Sequence, residues 1–139
     1  MDLANFLDKF EYVRLANQSD NQNILNFYSS LDMKNSSNEV CYDRSPDFFK
    51  YLKHSSLNYY VFLLLNKNEQ ICGVGTILLR SCYINGIEKT ICYLGDLRVS
   101  SLKMTVLWRR FYAELISDFL KISEFQKVSF NYTAILNDN

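Results

Sequence analysis

Asn85-Gly86 stands between two long apolar runs, Ile71 to Tyr83 and Glu88 to about Val99, and no other feature of the chain constrains its fold as much. Both residue types tolerate the left-handed backbone that a two-residue hairpin turn demands, so the dipeptide predicts an antiparallel hairpin. Counting outward from the turn pairs Tyr83 with Glu88, Ile77 with Leu94 and Gly75 with Asp96. Cys82 and Cys92 are not cross-strand partners in this register, which argues for free thiols.

The other elements arrange themselves around that hairpin. Tyr12-Val13-Arg14-Leu15 alternates and reads as a short first strand. Ser19 reads as a helix N-cap with Gln22 at the capping-box position, and Ile24, Phe27, Tyr28 and Leu31 then fall on one helical face. Lys34 to Glu39 is polar and reads as a loop. Ser45-Pro46-Asp47 opens a second short helix, with Pro46 at its first position, where a missing N–H costs nothing, and Phe48, Phe49 and Leu52 as anchors. Tyr59 to Leu65 has strand composition, and Asn66-Lys67-Asn68-Glu69 turns it into the hairpin.

Beyond the hairpin and a polar connection, Leu107, Phe111, Leu115 and Phe119 recur every four residues. Trp108, Tyr112 and Ile116 widen that stripe, which predicts a substantially buried helix. Lys127 to Leu136 is the last strand, and because it follows a helical crossover it should lie parallel to its predecessor. The order strand, helix, helix, three antiparallel strands, helix, strand predicts a mixed α/β fold. Its sheet is curved and mostly antiparallel, with helices on both faces, in a single domain over residues 1–139.

Several function classes are disfavoured. Lys+Arg and Asp+Glu balance at 15 each, so the total charge favours no nucleic acid or other polyanion. No apolar run approaches the ~20 residues that span a bilayer, and Met1 to Phe6 lacks the layout of a signal peptide. Cys41, Cys72, Cys82 and Cys92 show no C-x-x-C spacing and His54 is the one histidine, which argues against zinc and predicts no metal. The four thiols read as reduced, inert small hydrophobes in a cytoplasmic protein, where the glycosylation-like triplets at Asn17, Asn35 and Asn131 carry no meaning. His54 reads as a surface or capping residue.

The element order, with Tyr93-Leu94-Gly95-Asp96-Leu97-Arg98-Val99 leading into a helix, resembles the GNAT superfamily of coenzyme A-dependent N-acyltransferases. The resemblance runs from roughly Tyr12 to Asn139. Its strongest local pieces are Gly73-Val74-Gly75, the strand end Leu97-Arg98-Val99, and Tyr132-Thr133-Ala134-Ile135-Leu136 followed by Asn139. Tyr42 to Phe49 also resembles a segment that covers the acceptor site in some relatives.

The resemblance implies that the hairpin's second strand and the last strand splay apart. The pantetheine arm of acetyl-CoA, or of another acyl-CoA, would lie in the gap against the backbone of Leu97, Arg98 and Val99. The pyrophosphate would sit on the N-terminus of the next helix, where unpaired N–H groups and the dipole favour an anion. The acceptor implied is an amine-bearing small molecule or peptide, and Asp96 is the implied general base. Asp96 has a second reading, a structural partner of Arg98 or of a loop amide, because an ordinary aspartate deprotonates an ammonium poorly.

Two departures from the family pattern follow. Relatives carry R/Q-x-x-G-x-G/A around the phosphates; here the first position falls near Lys103 or Met104 and the glycine positions fall on Thr105, Leu107 and Arg109. Lys103, Arg109 and Arg110 supply cationic donors in compensation, although Arg109-Arg110 also reads as a solvated helix end and Trp108-Tyr112 reads as core. The family also continues past the equivalent of Asn139, which opens a further helix on the coenzyme, often with a tyrosine as acid for the leaving thiolate, before two more strands. On this reading the chain is the N-terminal two-thirds of the domain, and its last strand is an edge that a second copy or the absent segment would cover. A non-catalytic binding or regulatory module of the same fold, with a degenerate coenzyme loop, is the alternative function.

Overall fold

The computed structural model describes residues 1–31, 33–34, 39–40 and 43–134. The elements in chain order are α1 (Leu3–Leu7), β1 (Val13–Leu15), α2 (Asn21–Ser30), the short paired strands β2 (Met33–Lys34) and β3 (Glu39–Val40), and α3 (Phe48–Ser55). There follow β4 (Asn58–Leu65), β5 (Ile71–Ile84), β6 (Ile87–Val99), α4 (Leu102–Asp118) and β7 (Val128–Tyr132). The main sheet has the order β1-β4-β5-β6-β7, antiparallel throughout except for the parallel β6–β7 pair. This is the expected mixed architecture.

The β5–β6 turn forms as Asn-Gly chemistry demands, with φ of 52° at Asn85 and 76° at Gly86. From it the expected register runs inward through Tyr83–Glu88 and Ile77–Leu94, and Cys82 and Cys92 face Lys89 and Leu79. Alternation along β4 then divides the core in two, because successive side chains point to opposite faces. Phe62 and Leu64 join Ile77, Leu79 and Cys92 beneath α1 and α4, where Leu3, Phe6, Phe111 and Leu115 pack. Val61 and Leu63 join Val74 and Leu78 beneath α2 and α3, where Ile24, Phe27, Phe48 and Leu52 pack. Burial pushes the Cys92 thiol up to about 12, so it packs as a neutral hydrophobe.

Several local expectations shift. The helix α1 is an addition, capped by the Asp2 carboxylate, which accepts from the Asn5 N–H at 2.8 Å. The cap expected at Ser19 lies at Asn17: its side chain accepts from the Ser19 N–H, and the Asp20 carboxylate accepts from the Asn17 N–H, both at 2.9 Å. Gln22 therefore sits inside α2. Asp47, not Pro46, starts α3, accepting from the Phe49 N–H at 2.9 Å. Lys34 and Glu39, the ends of the expected loop, pair with each other in β2 and β3, and residues 35–38 between them lie outside the described residues.

Ile116 is 39% exposed, because a helix lying on a sheet buries a narrower stripe than one enclosed on all sides. The last strand is shorter than the expected Lys127 to Leu136 and forms one edge of the sheet; Ile135 and Leu136 lie outside the described residues. No helix among the described residues is long and apolar enough to cross a membrane.

Arg14 clamps this N-terminal turn by donating to both oxygens of Asp20, at 2.7 and 2.9 Å. The guanidinium holds the Asp20 carboxyl below its ordinary range. A depressed folded-state value means stability that is present above the unfolded value, about 4, and is lost as the pH falls through the folded one. Melting temperatures recorded from neutral pH into acid should therefore fall less steeply for Asp20→Asn than for the wild type. Parallel curves for the two proteins would contradict this.

Candidate functional site

β6 runs to Val99, but β7 follows it only as far as the Tyr93–Tyr132 pair. Among the described residues Thr133 makes the last link, its hydroxyl donating to the Leu94 carbonyl at 2.7 Å. From there to Ala134, the last residue described on that side, no ladder pair joins the two strands. A cleft of about 940 Å³ opens between them, lined by Leu94 to Val99 on one side, Thr133 and Ala134 on the other, and Thr105, Trp108, Arg109 and Tyr112 of α4.

A bulge shapes the β6 wall. Thr76 faces Gly95 and Val74 faces Arg98, so Asp96 and Leu97 together oppose Gly75 and the simple Gly75–Asp96 pair does not form. Asp96 absorbs the extra residue with φ of 57°, a left-handed conformation in which Asp is enriched among non-glycine residues. Surrounding contacts hold it there. The Tyr28 hydroxyl donates to the Asp96 carbonyl, and burial raises the Tyr28 pKa, so the hydroxyl keeps its proton.

The Asp96 carboxylate, 8% exposed, accepts a bidentate pair from Arg44 at 2.8 and 3.0 Å and a third bond from the Thr76 hydroxyl at 3.0 Å. Arg44 in turn packs its guanidinium over the rings of Tyr51 and Phe48, 4.5 and 5.3 Å from their centroids. Arg98, one of the expected partners of Asp96, donates to the Leu97 carbonyl at 2.7 Å.

Two glycines let aromatic rings lie flat on the strands here. A Cβ on Gly75 would come within 2.5 Å of the Trp108 indole, and one on Gly95 within 2.5 Å of the Tyr93 ring. Trp108 thus closes the cleft on the α4 face of the hairpin, and Tyr93 covers the opposite face beside Asp96.

The chain leaves β6 through Ser100 and enters α4 at once, with the Ser101 side chain accepting from the Met104 N–H at 3.3 Å. Positions 103 to 109, expected as a phosphate loop, are therefore the first turns of a helix. No acidic residue sits in the first turn, and the geometry of any α-helix leaves its first N–H groups without intrahelical partners.

No family profile and no curated protein matches the sequence. Solved structures do. Glucosamine-6-phosphate N-acetyltransferase from Arabidopsis thaliana is similar at a TM-score of 0.58 and 13% identity, over 91% of this chain and 83% of that one. Aminoglycoside antibiotic 6'-N-acetyltransferase from Acinetobacter baumannii aligns at 0.53 and 14%, over 91% and 80%. A GNAT family acetyltransferase from Staphylococcus aureus aligns at 0.53 and 15%, over 90% and 86%. The chain has the GNAT fold.

The GNAT fold gathers most of the expected positions into one place. Asp96, Leu97, Arg98, Val99, Thr105 and Arg109 all line the cleft. Leu107 does not: it packs against the core beneath α4. Lys103 is exposed on the first turn of the helix and does not line the cleft either. Asn139 lies outside the described residues, as do Cys41 and Tyr42. His54 is exposed in the last turn of α3.

Several cleft and bulge residues were not foreseen as such. Trp108 packs against the core as expected, and it and Tyr112, both half-buried, also form the cleft wall, while Tyr28, Arg44 and Tyr93 build the bulge. The sequence signal for the close approaches is the glycines Gly75 and Gly95 inside the strands, which mark places where something must approach closely.

Proposed function

We propose that this chain is an acyl-CoA-dependent N-acyltransferase, taking acetyl-CoA or another acyl-CoA in the β6–β7 cleft and passing its acyl group to an amine-bearing small molecule or peptide. The observation that carries this reading is the parting of β6 and β7 after Tyr93, which exposes strand backbone along a cleft that ends at a helix N-terminus. The residues present fit the ligand. The cleft has apolar walls in Trp108 and Leu97 for a pantetheine-like arm, and Arg98, Arg109 and Thr105 at its α4 end for phosphates. In the fold neighbours named above, an amino sugar phosphate and an aminoglycoside are the acceptors their names declare, which supports an amine acceptor.

The thioester supplies an acyl group already bonded to a good leaving thiolate. Backbone N–H groups of Leu97 to Val99 would polarise its carbonyl. The amine nitrogen bonds to the acyl carbon as the carbon–sulfur bond breaks; the amine's proton passes to Asp96 through a water, and the thiolate leaves with coenzyme A. Thr76 and Arg44 fix the Asp96 carboxylate on the rim of the cleft, where it would accept that proton. The free thiols of Cys72 and Cys82 suit a reducing cytoplasm. A second copy, or further chain, would cover the β7 edge, where Phe130 is 44% exposed.

The alternative, a non-catalytic module of the same fold, is favoured by one observation: both Asp96 oxygens are already engaged by Arg44. Incubation with acetyl-CoA and a panel of primary amines separates the two. Release of coenzyme A matched by acylated amine in the mass spectrum is the expected result; no coenzyme A release and no product from any amine supports the module.

A further inference from the structure

On the face of the sheet covered by α2 and α3, Arg80 of β5 is held by neutral groups alone among the described residues. Its Nε–H donates to the Ser55 carbonyl at 3.0 Å, one amino group to the Tyr132 hydroxyl at 3.0 Å, and the other to the Tyr51 hydroxyl at 3.3 Å. No carboxylate among the described residues lies within ion-pair reach of it. A guanidinium carries five N–H donors, so after these three bonds two remain. Its surroundings are half open: Tyr51 is 49% exposed and Tyr132 37%. A cation fixed from two elements, α3 and β7, with no counter-charge among the described residues and within reach of solvent, has the form of an anion receptor.

Its place relative to the cleft gives this meaning. The Arg80 guanidinium lies over the Tyr93 ring, 5.1 Å from its centroid, and Tyr132 packs against the same ring at 5.1 Å. Tyr93 extends over Gly95 toward Asp96 and lines the cleft. Tyr51 joins the two ends from above, its hydroxyl bonded to Arg80 and its ring under Arg44, the partner of Asp96. A tyrosine-walled strip therefore runs from an anchored carboxylate to a guanidinium whose described partners are all neutral.

We infer that the acceptor is an amine that also carries an oxyanion, a carboxylate or a phosphate, which Arg80 binds between the hydroxyls of Tyr51 and Tyr132 while the amine lies at the Asp96 end. This rests on the proposed acyl transfer for its purpose, but not for its detection. NMR titration of the whole chain compares β-alanine with β-alaninamide and O-phosphoethanolamine with ethanolamine.

At least one acid-bearing amine should bind about tenfold more tightly than its neutral counterpart, the scale of one hydrogen bond to a charged group. Which pair shows the preference distinguishes carboxylate from phosphate. Arg80→Gln should reduce it to about twofold or less, while Tyr132→Phe weakens it with the charge retained. Equal binding of acid and neutral amine by the wild-type chain, binding of neither, or a preference that survives Arg80→Gln overturns the inference. The wild-type comparison stands even if a variant fails to fold. Acetyl-CoA calorimetry on the same samples keeps the two ideas apart: acetyl-CoA bound without acid preference sinks this inference alone, and acid preference without acetyl-CoA binding sinks acyl transfer alone.

Discussion

Asp96→Asn should lower the rate of acyl transfer by about 10²–10⁴-fold, the range for loss of a positioned proton acceptor, with little change in acetyl-CoA affinity. The same substitution should cost about 1–3 kcal/mol of stability, because it removes the charged half of the bidentate pair with Arg44, whose side chain is 20% exposed. Asp96→Gly separates the two effects. It removes the same carboxylate but relieves the positive φ at this position, returning about 1 kcal/mol. If Asp96 serves catalysis, Gly and Asn should be equally slow despite their difference in stability. Activity that instead follows the melting temperature across Asn, Gly and Arg44→Met would assign Asp96 a structural role only. The kinetic assay needs an acceptor that turns over; the stability series does not.

Phe111→Ala should destabilise the fold by about 3–5 kcal/mol, enough to leave a domain of ordinary stability largely unfolded in mild urea. Phe111 is fully buried, and its ring meets Phe6, Phe10, Phe62 and Trp108 at centroid distances of 5.2 to 6.3 Å. It thus joins α1, the sheet and α4 in one contact set. Loss of the ring should also release Trp108 from Gly75, so the indole emission should shift before the main unfolding transition. Ile116→Ala on the outer face of the same helix should change stability by about 0.5 kcal/mol or less. Comparable losses at the two positions, read as urea midpoints, would contradict this account of the core.

How far these features were legible depended on how local their causes are. Asn85-Gly86 set the phase of the hairpin, and alternation carried the register correctly from Tyr83 to Gly95. One residue further the register slips, because the bulge at Asp96 is stabilised by Tyr28, Arg44 and Thr76, which are distant in sequence. The four-residue stripe located Phe111, Leu115 and Phe119, but periodicity does not say how wide the buried face will be, so Ile116 was placed on the wrong side of it.

The expected phosphate loop rested on alignment to a glycine pattern. Ser101, a residue suited to capping, starts the helix before the pattern's first position. Five-residue α1 is too short for any period to register, and its start is set by the Asp2 cap. Trp108 illustrates the limit for the site itself: stripe position gave its packing against the core, while its wall role depends on the missing Cβ of Gly75 on another element.

Isothermal titration of the chain with acetyl-CoA decides between enzyme and scaffold, because the cleft between β6 and β7 must take the coenzyme before any chemistry can follow. One site per chain is expected, with affinity that weakens as salt rises and again on Arg109→Ala, since Arg109 lines the α4 side of the cleft where the phosphates would sit. Heats indistinguishable from dilution, at chain concentrations adequate for a ligand of about 100 μM affinity, would contradict it and leave the GNAT fold here as a scaffold for something other than acyl transfer.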